Sequence, residues 1–114
     1  MRMRQPVPEL PVRDVPAAQA HYRDRFGFEI AWHDEGGRMG AVAHGDCALF
    51  LREVDGPIAP GTFWVFADDV DAAEAELRGL GAEIVDPVAD RPWGLRQFTA
   101  RDRDGHLFHF HHDL

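Results

Sequence analysis

The sequence predicts an α+β fold made of two tandem βαβββ modules, and three observations predict it. First, the chain repeats itself: RDVPAAQAHYRDRFGFEI (13–30) parallels DDVDAAEAELRGLGAEIV (68–85). Asp14-Val15 and Ala17-Ala18 match Asp69-Val70 and Ala72-Ala73. After a one-residue slip, Gly27-x-Glu29-Ile30 matches Gly81-x-Glu83-Ile84. Second, each copy carries one apolar stripe at spacings of three and four, the helical period. Third, each stripe follows one short apolar run and precedes three more, separated by Gly and Asp turn signals.

The elements follow in order. VPELPV (7–12) is the first strand, and Asp14 beyond it is a natural N-cap. Pro16 fits a first helical turn, where no intrahelical donor is needed. Val15, Ala18, Tyr22 and Phe26 form the first helix's buried stripe, and Gly27 ends it as a C′ residue does. FEIAWHD (28–34), MGAVAH (39–44) and CALFLRE (47–53) are the next three strands, with turns at Gly36-Gly37 and Gly45-Asp46. EVDGPIAPG (53–61), with two Pro and two Gly, ends the first half and contains the linker. TFWVFA (62–67) opens the second half. The second helix has the stripe Val70, Ala73, Leu77 and Leu80, closed by Gly81. AEIVD (82–86), RQFTAR (96–101) and HLFHFHH (106–112) complete it, with a turn at Asp104-Gly105. The organisation is one domain over 1–114, with modules at 7–53 and 62–112 joined by a linker at 54–61. Each helix covers one face of its sheet; the other face must be buried too or line a cleft.

Composition narrows the function classes. At 114 residues and 45% hydrophobic content, the chain can bury one real core. No apolar run approaches the roughly 20 residues of a membrane span, and MRMRQPVPEL has no apolar core of a signal peptide. A single Cys47 forms no internal disulfide, which fits a reducing, cytoplasmic setting. The formal net charge is −8, and all twelve basic residues are arginine. That balance argues against non-specific nucleic-acid binding, which cationic contacts drive. It is compatible with a cationic ligand. Nucleophilic catalysis is poorly provided for: there is no serine, and Cys47 on an apolar strand reads as a small core residue.

LPVRDVPAAQAHYRDRFGFEI, FWVFADDVDAAEAELRGLGAEI and PWGLRQFTARDRDGHLFHF, in this order and spacing, resemble the vicinal oxygen chelate superfamily. That superfamily includes glyoxalase I, extradiol dioxygenases, and fosfomycin- and bleomycin-resistance proteins. The resemblance covers nearly the whole chain, and the PWG turn and aromatic WVF strand bring it nearest the bleomycin-resistance branch. It implies curved mixed sheets forming a ligand crevice, and a homodimer in which a second chain completes the crevice.

The resemblance also frames the histidines. Four of seven lie between residues 106 and 112. Metal-dependent members take ligands from positions that fall here at Val7, Thr62 and His109. Val has no donor atom and Thr is a poor one, whereas catalytic zinc needs at least three protein ligands. No metal and no cofactor is therefore expected. Glu9 lies two positions along from Val7, so a Glu9–His109 ion pair that raises the imidazole pKa, or a metal site with His111, is the alternative. His106 reads as a turn residue, and His111 and His112 otherwise as a solvated tail.

Tryptophan carries the sharper signal. Trp32, Trp64 and Trp93 match aromatic positions of the bleomycin-resistance proteins, and Phe66 shares a strand face with Trp64. Tryptophan faces hold flat, cationic heteroaromatic molecules by stacking and cation–π attraction. Alternation leaves open whether Phe50 and Ala48, or Cys47, Leu49 and Leu51, face inward. Arg38 and Met39 stand where drug-binding relatives have an aromatic, which leaves an anionic or mixed-charge ligand open beside a bleomycin-type one. The candidate ligand-binding set is Trp93, Trp64, Trp32, Phe66, Glu9, His109 and Arg38. The expected function is sequestration of a small aromatic or heterocyclic molecule, such as a bleomycin-type antibiotic, without catalysis. The alternative is a metal-dependent lyase, isomerase or dioxygenase using Glu9 and His109.

Overall fold

A computed structural model describes residues 1–114. The order is β1 (Glu9–Val12), α1 (Val15–Phe26), β2 (Glu29–Asp34), β3 (Met39–His44), β4 (Cys47–Glu53), β5 (Thr62–Phe66), α2 (Val70–Leu80), β6 (Glu83–Asp90), β7 (Leu95–Arg101) and β8 (Leu107–Asp113). The strands form two four-stranded sheets, β1-β4-β3-β2 and β5-β8-β7-β6. In each, the opening strand runs parallel to the last and the other pairs are antiparallel. This is the duplicated βαβββ architecture that the repeat predicts.

The helix boundaries come from the expected residues. Asp14 accepts from the Ala17 N–H at 2.9 Å, and Asp69 from the Ala72 N–H at 3.1 Å. Gly27 and Gly81 end the helices at φ 70° and 85°, left-handed values that glycine adopts without a Cβ clash. The α1 stripe is wholly buried; in α2, Val70 and Leu77 are buried and Ala73 and Leu80 half-buried. Two strands differ from the sequence reading by more than one residue at an end. β1 starts at Glu9 rather than residue 7, and β6 continues through Pro87 to Asp90. Pro87 is tolerated because β6 is an edge strand, where a missing donor breaks no inner ladder.

One cluster of sixteen buried residues draws on both modules, with Tyr22 and Phe26 of α1 packed against Phe108 of β8. Beside it lies a polar junction. The Tyr22 hydroxyl donates to the Asp102 carboxylate, which also accepts the backbone N–H groups of Asp104 and His106. Burial, reinforced by Asp102, raises the Tyr22 pKa well above the ordinary phenol value. His106 directly follows the Asp104-Gly105 turn, and its side chain is fully buried. Its Nδ1 accepts from Gly61 N–H at 2.9 Å, so its Nε2 donates to the Pro11 carbonyl at 2.7 Å. One ring thus ties the linker, β1 and the β7–β8 turn together.

No helix is long and apolar enough to cross a membrane. Each helix packs on one face of its own sheet. The opposite faces carry large exposed side chains, and these frame the site.

Candidate functional site

Register places the site side chains in rungs that cross each sheet. In the second sheet Trp64 pairs with His109, His109 with Thr99, and Thr99 with Asp86. The next rung is Phe66, His111 and Gln97. Period-two alternation sends all of these away from α2, while Phe98, Phe108 and Phe110 point into the core. The Trp64 and His109 rings lie 4.4 Å apart at 36°, and Phe66 meets His111 edge-on at 6.0 Å. Trp93, in the turn before β7, donates its indole N–H to Gln97 Oε1 at 2.8 Å, which fixes the indole at the rim. Trp64, Phe66 and Trp93 are 53%, 60% and 59% exposed. Rings this open are not core packing, and together they leave an exposed aromatic patch on this face.

The first sheet has an equivalent rung: Glu9, Phe50, Ala41 and Trp32. Glu9 stands five residues before Asp14, as Trp64 does before Asp69. Trp32 and Asp86 stand five residues after Gly27 and Gly81. Both follow a register shift, between Ile30 and Trp32 and between Ile84 and Asp86. A bulge re-aims the next side chain, and it turns Trp32 onto the open face, 5.4 Å from Phe50. Gln19 of α1 serves the bulge by donating to the Trp32 carbonyl at 2.8 Å. The parity left open by the sequence resolves with Leu49 and Leu51 in the core and Phe50 on the open face.

Electrostatics separate two residues that the sequence reading considered together. Glu9 is ion-paired with Arg52 at 3.1 Å on the first sheet, while His109 Nδ1 lies 2.6 Å from Thr99 Oγ1 on the second. The Glu9–His109 pair is not formed within the chain. The His109 pKa is accordingly lowered, chiefly by burial, rather than raised. Arg38, at φ 56°, binds Asp55 at 2.6 and 3.0 Å and Glu53 at 3.1 Å. Its charge is engaged at the β2–β3 turn, and these bonds hold the Asp55 carboxyl below its usual range. His111 and His112 belong to β8 rather than to a tail. His112 Nδ1 accepts the Val70 N–H at the start of α2, and His111 Nδ1 is enclosed without a partner.

Residues suited to a metal do not gather. No three His, Cys, Asp or Glu side chains form a cluster that could hold an ion. Val7 and Thr62, which would supply ligands beside His109, offer no imidazole or carboxylate. The donor set does not fit a metal centre.

A cleft of about 840 Å³ runs beside these faces. Trp64 and Phe66 border it, but so do Phe63 and Val65 from the other face of β5. It therefore wraps the free edge of that strand. Phe28, Cys47 and Pro8 also line it, and its charged lining is Asp46, Asp68, Asp69 and Glu76, with no arginine. Cys47 is half-buried in this lining, and burial pushes its thiol pKa up, away from the thiolate form that a nucleophile needs.

Sequence reasoning missed Thr99, Gln97 and this acidic lining. Alternation along RQFTAR, with Phe98 and Ala100 inward, is the signal that points Gln97 and Thr99 outward.

The family model of the glyoxalase/bleomycin resistance protein/dioxygenase superfamily matches residues 4–110. The chain belongs to that superfamily. Among solved structures of the superfamily's fold, it is similar to TioX from Micromonospora sp. ML1, at 28% identity and a TM-score of 0.81, covering 95% of this chain and 98% of that one. It is also similar to the bleomycin-binding protein of bleomycin-producing Streptomyces verticillus, solved with copper(II)-bleomycin. There the identity is 27%, the TM-score 0.79, and the coverage 96% of each chain. A bleomycin-binding protein complexed with bleomycin shares the fold at 22% identity and a TM-score of 0.83, over 98% of this chain and 100% of that one. No curated protein matches the chain.

Proposed function

We propose that this superfamily member binds and sequesters a small, flat aromatic or heterocyclic molecule, of bleomycin type or related, without chemistry. The observation that carries the reading is the pair of open aromatic faces. Trp64, Phe66 and Trp93 project from one sheet and Trp32 from the other, and no element of the chain covers them. Stacking on tryptophan needs such exposed ring faces, and the acidic cleft beside β5 favours a ligand that also carries positive charge. Similarity to the bleomycin-binding protein of S. verticillus supports the same reading.

Each open face supplies half a crevice, so the proposal includes a second copy of the chain that sets its first sheet opposite this one's second. Such a homodimer would work in the cytoplasm, in keeping with its lone cysteine.

The test is a titration with bleomycin and a panel of planar compounds, followed by tryptophan fluorescence, with gel filtration alongside. Saturable quenching by a dimer is the expected result. Absence of quenching by every compound, or a clean monomer in the presence of bound ligand, would overturn the proposal. Elemental analysis of untagged protein separates the metal-dependent alternative. One tightly held metal ion per chain would favour that enzyme and defeat sequestration without chemistry.

A further inference from the structure

We infer that Thr99 fixes His109 as its Nε2–H tautomer, so that the open face presents a hydrogen-bond donor and selects flat ligands that carry an acceptor. The inference rests on the ligand-binding reading above and names the class of ligand that the same face prefers.

The placement of two protons decides the tautomer. His109 Nδ1 and Thr99 Oγ1 are 2.6 Å apart, and one of them must donate to the other. Thr99 is 3% exposed, and its hydroxyl has no other partner. If Nδ1 carried the proton, the threonine O–H would need a second acceptor and would be buried without one. Folded proteins avoid buried donors left unpaired. If Thr99 donates instead, its O–H is satisfied and the imidazole proton sits on Nε2. That nitrogen has no partner in the chain and is not enclosed, so solvent or a ligand can reach it. Burial lowers the His109 pKa, which keeps the ring neutral in mildly alkaline solution and the choice of tautomer meaningful.

The surroundings favour the same outcome. Trp64 covers the imidazole face at 4.4 Å, which leaves the ring edge as its polar surface. Asp86, beyond Thr99 on the same rung, is held by Arg91 at 3.0 Å and has no hydrogen bond to the imidazole. A flat ligand on the open face that reaches this edge would therefore meet an N–H. Ring nitrogens, carbonyls and carboxylates would accept from it; a plain hydrocarbon edge would not. Thr99 is in this sense a positioning residue that acts through His109.

Two measurements test the inference. Long-range proton–nitrogen NMR of the imidazoles in mildly alkaline buffer reads the tautomer directly. The Nε2–H form is expected for His109. Thr99→Val should shift it toward the other tautomer and Thr99→Ser should restore it. An Nδ1–H form in the unaltered protein, or a tautomer indifferent to Thr99→Val, would overturn the inference. The second measurement compares a quinoline bearing an aminomethyl group with the naphthalene analogue, which has the same shape and side-chain charge but no ring acceptor. The quinoline should bind about fivefold more tightly, the worth of one net hydrogen bond. That ratio should fall to about one in Thr99→Val and in His109→Phe. Equal binding by the unaltered protein would overturn the selectivity and leave stacking intact. If neither compound binds, the stacking reading and the ligand preference fall together, while the NMR result still stands by itself.

Discussion

Replacing neighbours on β5 separates the two faces of one strand. Trp64 points to the open face and Phe63 toward the helix side, where its ring stacks on Phe108 at 5.3 Å and 25°. A tryptophan side chain that is fully covered buries on the order of 200 Å². With Trp64 53% exposed, about 100 Å² remains for a ligand to cover. At about 25 cal/mol per Å², full coverage contributes about 2.5 kcal/mol, a ceiling of roughly 60-fold in affinity. Trp64→Ala should therefore weaken planar ligands by about ten- to sixty-fold, while costing the fold about 1 kcal/mol or less, as surface substitutions do. Phe63→Ala should do the reverse. It removes a half-buried ring packed against the core and should destabilise by about 2–3 kcal/mol, below the usual range for a fully buried phenylalanine. Urea unfolding reads the change in stability, and ligand titration of the folded variants by calorimetry reads the change in affinity. If Trp64→Ala destabilises as much as Phe63→Ala and leaves affinity unchanged, Trp64 is packing and the open-face reasoning is wrong.

Three further outcomes follow from the same geometry. His106→Phe keeps the ring volume but leaves Gly61 N–H and the Pro11 carbonyl unpaired, and should cost about 2–4 kcal/mol in chemical denaturation; a loss under about 0.5 kcal/mol would remove the ring's tying role. A Cβ on Gly40 would sit 2.6 Å from Gln19 Nε2 and 2.7 Å from Val15 Cγ1, so Gly40→Ala should lower stability by about 1–3 kcal/mol, read as a shift in thermal midpoint. Burial lowers the His21 and His109 pKa values below the ordinary 6.5, so as pH falls the unfolded chain takes up these protons before the folded one. Their effect leaves stability full above pH 6.5 and diminishing below it, through the folded values, whereas the Asp55 and Asp71 carboxyls, lowered from 3.8, act only in stronger acid. The raised Tyr22 phenol acts oppositely: its contribution is whole below pH 10 and is lost as pH rises through its folded value. Unfolding midpoints that stay flat between about pH 7 and about pH 5 would contradict the histidine assignment.

Most of the fold was legible because local rules and the repeat agree. Asp14 and Asp69 cap, Gly27 and Gly81 terminate, and strict alternation sorts β5 and β8 into Phe63, Phe108 and Phe110 inside, with Trp64, Phe66 and His109 outside. What escaped reading depends on the third dimension. The bulge after Ile30 breaks the parity of β2, so no alternation rule applied to AWHD places Trp32. His106 looked like turn chemistry because its partners, Pro11 and Gly61, are remote in sequence. Glu9 and His109 could be imagined as a pair because each occupies its module's open face; register puts them on different sheets, and Arg52 and Thr99 take them separately. The cleft along the β5 edge has walls from both modules and from the N-terminal segment, which no linear motif records.

The chain's three tryptophans are all on the open faces or their rim, so their indole N–H signals report that surface alone. The most direct measurement is proton–nitrogen NMR of those three signals during titration with bleomycin and with the aminomethylquinoline in turn. Saturable shifts of Trp64 and Trp93, with Trp32 moving at the same ligand concentrations, are expected if both faces enclose the ligand. Saturable binding that leaves all three signals still would place the ligand elsewhere and contradict the aromatic crevice.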